Sequence, residues 1–333
     1  MHRRTFLRGT VLGGTIGLGL TGWRPSYALA EPPPETTHIR LVRSPSLCIA
    51  PLYLTTELLQ LEGFTKIEHV EMKGVLFTQA VAAGQVDVAL NFSGPLIVSL
   101  DEGAPIVILA GVHAGCFELF GTERVRAIRD LKGKTIAVPR QGEPQHVFLA
   151  TMLAHVGIDP RADVTWVIHP FAESARLLAE SKIDGFLGFP PEPQELRARK
   201  IGRVVVDSAV DRPWSQYFCC MAYTSRDFAR RNPIATKRAL RAILKATDLC
   251  ATDPTTAAKM LIDKGFAKEY DYALSLMKSL PYDRWRVFDH EDTVRFYTLR
   301  LQEAGMIKSS PQKIIAQGTD WRFLNELKKE LKG

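Results

Sequence analysis

Short apolar strands alternate with amphipathic helices from residue 39 to residue 208, and the whole alternation occurs twice. The candidate strands of the first set are IRLVR, KIEHVEM, VDVALNF and PIVILAGV, and those of the second set are TIAVPR, VTWVIH, IDGFLGF and RVVVDS. The helical stretches APLYLTTELLQLEG and LFTQAVAAG each end on a glycine, as helices often do. Strands that alternate with helices predict an α/β fold with mainly parallel sheets.

The two sets share a register, which predicts two similar lobes. GQVDVALNFSGP aligns with SKIDGFLGFPPE at an offset of 97, so that Asp87 pairs with Asp184 and Phe92 with Phe189. A chain of ~300 residues is also long for a single hydrophobic core. From residue 226 to the end the pattern changes to successive helices, with Asn232-Pro233 and Asp253-Pro254 as their start signals. We expect these helices to pack on one lobe.

Residues 1–30 resemble a twin-arginine export signal. Arg3 and Arg4 precede an apolar run at 9–20, and the small-residue ending at 28–30 predicts cleavage after Ala30. The apolar run is shorter than the ~20 residues that a membrane span needs. The mature chain would then have 333 − 30 = 303 residues and begin with a Pro-rich linker at 31–37.

Charge and cysteine content exclude some classes of function. The leader holds four arginines and no acids, so the formal charge of the mature chain is +7 − 4 = +3, with no basic block that would indicate nucleic-acid binding. The five cysteines have no regular spacing and predict small core residues rather than a disulfide framework, namely Cys48, Cys116, Cys219, Cys220 and Cys250.

No catalytic, cofactor or metal motif stands out. GLGLTG at 17–22 matches the dinucleotide-binding pattern but lies in the leader, without the βαβ unit that such a site needs. His113 and Cys116 are close enough in sequence to share an ion, yet two ligands do not make a zinc site. We therefore predict no metal and no cofactor.

The stretches SPSLCIAPLYLTTELLQLEGF, AVAAGQVDVALNFSGPLIVSLDEGAPIVILAG, DLKGKTIAVPRQGEPQHVFLATMLAHVGIDP and SRDFARRNPIATKRAL together resemble the periplasmic solute-binding proteins of ABC importers, in the nitrate, taurine and alkanesulfonate group. The resemblance implies a type II-like periplasmic-binding-protein fold whose lobes are joined by two crossing strands. Lobe 1 would comprise 38–120 and 222–333, and lobe 2 would comprise 121–221. It also implies a non-catalytic monomer of the periplasm that passes a small polar or anionic organic solute to a membrane permease.

In open α/β sheets, ligands bind beyond the carboxyl ends of the strands, where helix N-termini point inward. Strand-to-helix junctions of both predicted lobes supply the candidate ligand-binding residues, to which we add two aromatic residues near the second crossing: Ser44, Ser46, Asn91, Ser93, Gly94, Gln141, Gly142, Gln145, His146, Phe189, Glu192, Trp214 and Tyr217. His146 matches a histidine that the family places at the start of a helix.

Each candidate has an alternative role. Ser46, Ser93 and Gln141 could simply cap helices, and Trp214 and Tyr217 could pack at the hinge instead of stacking on a planar solute. The small polar residues usual in the family are replaced here by Glu143 and Pro144, which places anion binding in doubt. Carboxylates at Glu143 and Glu192 favour a solute that is not a bare multivalent anion, although Arg140 or Arg212 could offset them.

A second hypothesis is an enzyme on the same scaffold. The fungal thiamine-pyrimidine synthases share this fold, use pyridoxal phosphate and iron, and carry a cysteine-rich stretch. YFCCMAY at 217–223 is faintly similar, but most of that cysteine cluster is missing.

Overall fold

The computed structural model describes residues 31–72 and 74–331, so the predicted export signal lies outside the described residues. Residues 33–331 belong to a single compact unit that contains all the elements below. The strands are β1 (His38–Arg43), β2 (Lys66–Glu71), β3 (Val88–Phe92), β4 (Ile106–Ala114), β5 (Glu118–Gly121), β6 (Thr135–Val138), β7 (Thr165–Ile168), β8 (Gly185–Gly188), β9 (Arg203–Asp207) and β10 (Phe218–Ser225).

The described strands form two five-stranded sheets with the same plan. The first sheet has the order β2-β1-β3-β10-β4 and the second the order β7-β6-β8-β5-β9. In each sheet four strands run in the same direction, and one strand, β10 in the first sheet and β5 in the second, runs antiparallel to its two neighbours. The two predicted α/β lobes are therefore confirmed, and each sheet is mixed, with one strand opposed to the other four.

The predicted internal repeat is confirmed by equivalent bonds in the two sheets. The carboxylate of Asp87 accepts a bond of 2.8 Å from the backbone N–H of Arg40, and the carboxylate of Asp184 accepts one of 3.1 Å from that of Thr135. The backbone N–H of each aspartate donates back to the carbonyl of the same partner, at 2.8 Å in both lobes. Each aspartate thus ties the strand that follows it to the neighbouring parallel strand, β3 to β1 in the first sheet and β8 to β6 in the second.

The chain crosses between the sheets at 115–117 and again at 208–217. These two segments touch, because a Cβ added to Gly115 would lie 2.3 Å from the Cα of Ala209. The strands next to the crossings, β5 and β10, were absent from the predicted set. Both are buried along their whole length and do not alternate, so their sequences lack the period of two that identifies a half-buried strand.

Helices cover both sheets: α1 (Ala50–Tyr53), α2 (Thr56–Leu61), α3 (Phe77–Ala82), α4 (Ser93–Asp101), α5 (Pro144–His155), α6 (Phe171–Ala179), α7 (Glu192–Ala198), α8 (Arg226–Arg231), α9 (Pro233–Thr252), α10 (Pro254–Asp263), α11 (Tyr270–Ser279), α12 (His290–Glu303), α13 (Pro311–Gly318) and α14 (Arg322–Glu330). The predicted helix APLYLTTELLQLEG is broken into α1 and α2, where the hydroxyl of Thr55 donates to the carbonyl of Leu52. No helix within 31–72 or 74–331 combines the length and the apolar character that crossing a membrane requires.

The C-terminal helices contact more than the one predicted lobe. Helix α9 packs on α1 and β4 of the first lobe, whereas α12 packs on α4 of the first lobe and on α5 of the second. The ring of Tyr297 on α12 lies 5.1 Å from that of Phe92 and 6.0 Å from that of Phe148, which come from different lobes. The hydrophobic core is consequently continuous through both lobes, with a smaller separate cluster around Phe186.

Candidate functional site

An inner cavity of about 450 Å³ lies between the two lobes. All four of the predicted strand-to-helix junctions contribute to its wall. Among the predicted site residues it is lined by Ser44, Ser46, Asn91, Gly142, Gln145 and Phe189. The volume suits a small organic molecule.

The turn after β1 is held in place by Tyr53. The Tyr53 hydroxyl donates to the carbonyl of Ser44 at 2.5 Å and accepts from the Ser44 N–H at 3.0 Å. Burial raises the pKa of Tyr53 above its usual range, so the phenol keeps its proton. This clamp fixes the chain that carries Ser46 into a short 3₁₀ helix at Leu47–Ile49.

The junction between β6 and α5 brings an unpartnered acceptor to the cavity. Gly142 has a φ of +81°, which turns the chain, and Pro144 begins α5 without a side-chain cap among the described residues. Gln145 is 2% exposed, and its Oε1 atom has no hydrogen-bond partner among the described residues. A buried amide oxygen of this kind favours a ligand that donates a hydrogen bond.

The remaining wall is mostly apolar and aromatic. Phe77, Phe92, Phe117 and Phe189 line it, and the rings of Phe92 and Phe117 lie 5.5 Å apart. A smaller polar patch adds the hydroxyls of Thr78 and Ser99, bonded to each other at 2.9 Å, and the carboxylate of Glu102. This combination suits a solute with a flat apolar body and a few polar groups.

The inner wall carries one guanidinium, that of Arg140, and two carboxylates, those of Glu102 and Glu143. Arg140 and Glu143 form an ion pair at 3.1 Å, with side chains that are 40% and 33% exposed. The guanidinium of Arg140 is therefore already engaged by a carboxylate. No other arginine and no lysine stands among the described residues that line this cavity.

An outer cavity of about 950 Å³ adjoins the inner one through shared wall residues Ser44, Pro45, Met72 and Phe189. Its charged wall residues are Arg43, Glu71, Glu192, Glu195, Lys268 and Glu269. Burial raises the pKa of Glu192 to about 8, although the N–H of Phe189 opposes this by donating to its carboxylate at 3.2 Å. Glu192 is thus largely protonated at neutral pH and can donate a hydrogen bond.

Two hydrogen bonds cross between the lobes beside the cavity. The N–H of Leu47 donates to the carbonyl of Pro190 at 3.0 Å, and the guanidinium of Arg140 donates to the carbonyl of Gly74 at 3.3 Å. Both connect first-lobe backbone to the second lobe. The lobes therefore stand closed on the cavity.

Several predicted residues lie away from the inner wall. The Ser93 hydroxyl donates to the carbonyls of Phe218 and Cys219, at 2.8 and 3.0 Å, and so ties α4 to β10 without capping α4. Gly94 packs against the ring of Phe92 and the side chain of Val147. Gln141 is exposed.

The predicted histidine also points elsewhere. The ring of His146 packs edge-on against Trp166 at 4.8 Å, and its Nδ1 atom accepts from the N–H of Gly142 at 3.2 Å. Burial lowers the pKa of His146. It supports the 142–145 turn instead of lining either cavity.

The two aromatic candidates pack at the hinge. Tyr217 stacks on Phe296 of α12 at 3.8 Å, and Trp214 is buried against Phe148 and His155. Glu192 lines only the outer cavity. Of the two roles considered for Trp214 and Tyr217, the structure favours packing between the second crossing and the C-terminal helices.

Other residues that line the inner cavity could not be predicted from the sequence. Thr78, Ser99 and Glu102 come from helical interiors or ends, Cys48 comes from the 3₁₀ helix after β1, and Phe117 and Cys220 come from positions in or near the chain crossings. Helix α4 is buried along most of its length, so helical periodicity could not indicate which of its residues border a cavity. Only the packing of the two lobes brings these residues together.

Two lobes of matching topology, joined by two crossings and closed on a cavity, define a protein of the periplasmic-binding-protein fold. The model of the NMT1-like family matches residues 33–262, and the chain belongs to that family.

Comparisons with solved structures support the fold. The periplasmic nitrate-binding protein from Synechocystis PCC 6803 aligns with a TM-score of 0.75 at 15% identity, over 90% of each chain. The alkanesulfonate-binding protein of Xanthomonas axonopodis pv. citri, bound to MOPS, aligns with a TM-score of 0.68 at 18% identity, over 88% of this chain and 99% of that one.

Proteins of similar sequence include one named as an enzyme and one named as a binding protein. A 4-amino-5-hydroxymethyl-2-methylpyrimidine phosphate synthase of Saccharomyces cerevisiae is 27% identical over 234 residues, which is 64% of this chain and 67% of the yeast protein. The taurine-binding periplasmic protein of Escherichia coli is 27% identical over 183 residues, covering 54% of this chain and 56% of that protein.

Proposed function

We propose that this chain is a non-catalytic solute-binding protein that delivers a small organic solute to an ABC importer. The observation that carries the proposal is the inner cavity, which is walled by strand-to-helix junctions of both lobes. Cross-lobe bonds at Leu47 and Arg140 lie beside this cavity. Closure of two lobes around a solute is the hinge motion by which periplasmic binding proteins sequester ligands.

Both lobes are needed for useful affinity. Micromolar binding corresponds to about −8 kcal/mol, while one neutral hydrogen bond contributes roughly 0.5–1.5 kcal/mol. The first lobe offers Ser46, Asn91 and Thr78, and the second lobe offers Gln145 and the first N–H groups of α5. Closure joins these groups and buries the solute against the phenylalanine rings.

The solute that fits is neutral or cationic, with a planar apolar part and at least one hydrogen-bond donor. The unpartnered Oε1 of Gln145 calls for a donor. The outer cavity carries more carboxyl groups than basic groups, which disfavours a multivalent anion. Within the sulfonate, nitrate and taurine group, a zwitterion such as taurine suits this wall better than nitrate does.

Partner and location follow from this role. A closed binding protein is recognised by the membrane permease of its importer, so we propose such a permease as the partner, a monomer as the functional form and the periplasm as the compartment. We also propose export by the twin-arginine pathway, on the basis of the sequence pattern in residues 1–30.

The alternative is an enzyme of the kind named among the yeast relatives. Pyridoxal phosphate needs a lysine for its Schiff base and a cationic or N–H-rich cradle for its phosphate. Among described lining residues the inner cavity offers no lysine, and Lys268 of the outer cavity shares that wall with Glu195 and Glu269. The described residues do not fit this cofactor, so we derive no reaction through it.

A thermal-shift screen of purified residues 31–333 tests the proposal. The panel would contain nitrate, bicarbonate, taurine, alkanesulfonates, pyrimidines and aromatic carboxylates. A ligand present at 100 times its dissociation constant stabilises the folded state by about 2.7 kcal/mol, which raises the melting temperature measurably. We expect one chemical class to do so, and stoichiometric pyridoxal phosphate in the purified protein would contradict the binding-protein function.

Two glutamines provide a matched pair for the solute found in that screen. Gln145 and Gln194 are both buried with an unpartnered Oε1 among the described residues, but only Gln145 lines the inner cavity. Gln145→Ala should weaken binding about 10-fold in isothermal calorimetry, because it removes a hydrogen bond worth roughly 1.4 kcal/mol. Gln194→Ala should leave the affinity unchanged; equal effects of the two variants would place the solute elsewhere.

A further inference from the structure

Four buried side chains with metal-ligating atoms meet beneath the inner cavity, and the function proposed above makes no use of them. One ring nitrogen of His113 and the sulfur atoms of Cys48, Cys116 and Cys220 all lie within 4.8 Å of one another. None of the four side chains is more than 3% exposed. We call this set the Cys/His cluster.

The tautomer of His113 leaves a bare nitrogen inside the protein. Its Nδ1 atom lies 2.9 Å from the carbonyl oxygen of Gly115 and 3.3 Å from that of Ala114, and both oxygens can only accept, so Nδ1 carries the proton. The Nε2 atom is buried and has no hydrogen-bond partner among the described residues. A histidine oriented through one nitrogen by a backbone carbonyl, with the other nitrogen unpartnered, has the arrangement found in metal-ligating histidines.

The spacing of the sulfur atoms suits a tetrahedral ion. Metal–sulfur bonds of about 2.3 Å place neighbouring thiolates about 3.8 Å apart in a tetrahedral zinc site. The sulfurs of Cys48 and Cys220 are 4.0 Å apart. Three thiolates and one imidazole form a closed ligand set for zinc, and soft sulfur ligands also select copper(I).

We propose that the Cys/His cluster binds one thiophilic d¹⁰ cation, zinc(II) or copper(I), at the base of the hinge between the lobes. Cys48 comes from the 3₁₀ helix after β1, His113 from the end of β4 and Cys116 from the first crossing that follows it, and Cys220 from the strand after the second crossing. The ion therefore joins three chain segments that meet where the lobes do. Cys48 and Cys220 also line the inner cavity, which gives the ion an entry path.

The primary test is metal binding by the reduced mature protein. Zinc(II) would be titrated against a chromophoric chelator, copper(I) against a copper(I)-specific chelator, and cobalt(II) would serve as a spectroscopic substitute for zinc. We expect one equivalent of zinc or copper(I), and a tetrahedral cobalt spectrum with thiolate-to-metal charge-transfer bands. Reduced protein that takes up none of the three ions would overturn the proposal.

The serine variants Cys48→Ser and Cys220→Ser locate the site, with Cys250→Ser as the matched control. Cys250 is also buried and free but lies in α9, outside the cluster. Removing a residue that only hydrogen-bonds to a metal ligand lowers metal affinity about 10- to 100-fold. Removing a ligand itself should therefore lower the affinity at least about 100-fold. Cys250→Ser should bind as wild type does, and unchanged binding in both cluster variants would sink the assignment.

A disulfide is the competing state, because the sulfurs of Cys116 and Cys219 lie 3.2 Å apart. Peptide mass spectrometry of protein taken from the export compartment, with thiols blocked at lysis, separates the two. Free Cys116 and Cys219 together with bound metal would support the site. A complete Cys116–Cys219 disulfide would remove one of the four ligands and overturn it.

Discussion

At the scale of single residues, Glu192 shows how a cleft changes the chemistry of an ordinary carboxyl group. Its pKa is raised to about 8 by burial beside the second-lobe junction, whereas the carboxyl of a free glutamate titrates near 4.3. The residue type gives no sign of this difference. A protonated Glu192 offers the cleft a donor instead of a charge.

Replacing Glu192 by Gln should change how stability depends on pH. The folded state keeps the Glu192 proton up to about pH 8, while the unfolded chain releases it near pH 4.3, so this group destabilises the folded protein as pH rises through that interval. Glutamine imitates the protonated form and has no such dependence. We expect the melting temperature of wild type to fall by a few degrees relative to Glu192→Gln as the pH is raised through that interval, and a constant difference would contradict the raised pKa.

At the scale of elements, the paired aspartates explain why the two sheets share a plan. Asp87 accepts from the backbone of β1 and Asp184 from the backbone of β6, the equivalent strands of the two sheets. They differ in their ion pairs: Asp87 meets Arg40 at 2.7 Å, with an aspartate side chain that is 9% exposed, whereas Asp184 meets a largely exposed Arg124 at 3.3 Å. We therefore expect the two equivalent aspartates to contribute differently to the free energy of unfolding.

Alanine at these two positions should reveal that difference. Asp87→Ala removes the acceptor of the Arg40 N–H and breaks a partly buried ion pair with the Arg40 guanidinium, which together costs about 3 kcal/mol. Asp184→Ala removes a backbone acceptor and an exposed pair, which costs about 1–2 kcal/mol. Urea unfolding followed by circular dichroism gives both values, and an equal loss in the two variants would refute the distinction.

At the scale of the whole molecule, two sheets share one core. The main hydrophobic cluster contains Leu90 and Ile108 of the first sheet together with Leu119, Ile136 and Leu187 of the second. Helix α12 reinforces this connection by placing Tyr297 against both lobes. The resemblance predicted two lobes, and the packing makes them interdependent.

We therefore predict that the mature protein unfolds in one cooperative step in guanidinium chloride. Far-UV circular dichroism follows the loss of secondary structure in both lobes. In a Trp166→Phe, Trp214→Phe double variant, tryptophan fluorescence follows only Trp285 and Trp321, which lie in the C-terminal helical region. A shared core requires the two transitions to coincide. Separate midpoints would mean that the lobes fold independently.

Much of this protein was determined by local pattern. The alternation of strands and helices, the internal repeat and the junctions at 44–46, 91–92, 142–145 and 189 could all be predicted, because hydrophobic periodicity and turn residues act over a few positions along the chain. The strand β5 escaped prediction because it has only four residues, and β10 did so because periodicity does not distinguish a fully buried strand from a buried helical segment. The residues 1–30 lie outside the described structure, and their role as an export signal stays a prediction.

Tertiary structure alone decided which side chains face the cavity and which face the core. His146 was placed at the site by its position in the chain, but the orientation of α5 turns it toward Trp166. His113 and Cys116 were too few for a metal site until the fold brought Cys48 and Cys220 to them. Side-chain direction and contacts between distant segments depend on how helices and sheets pack, and no local pattern encodes that packing.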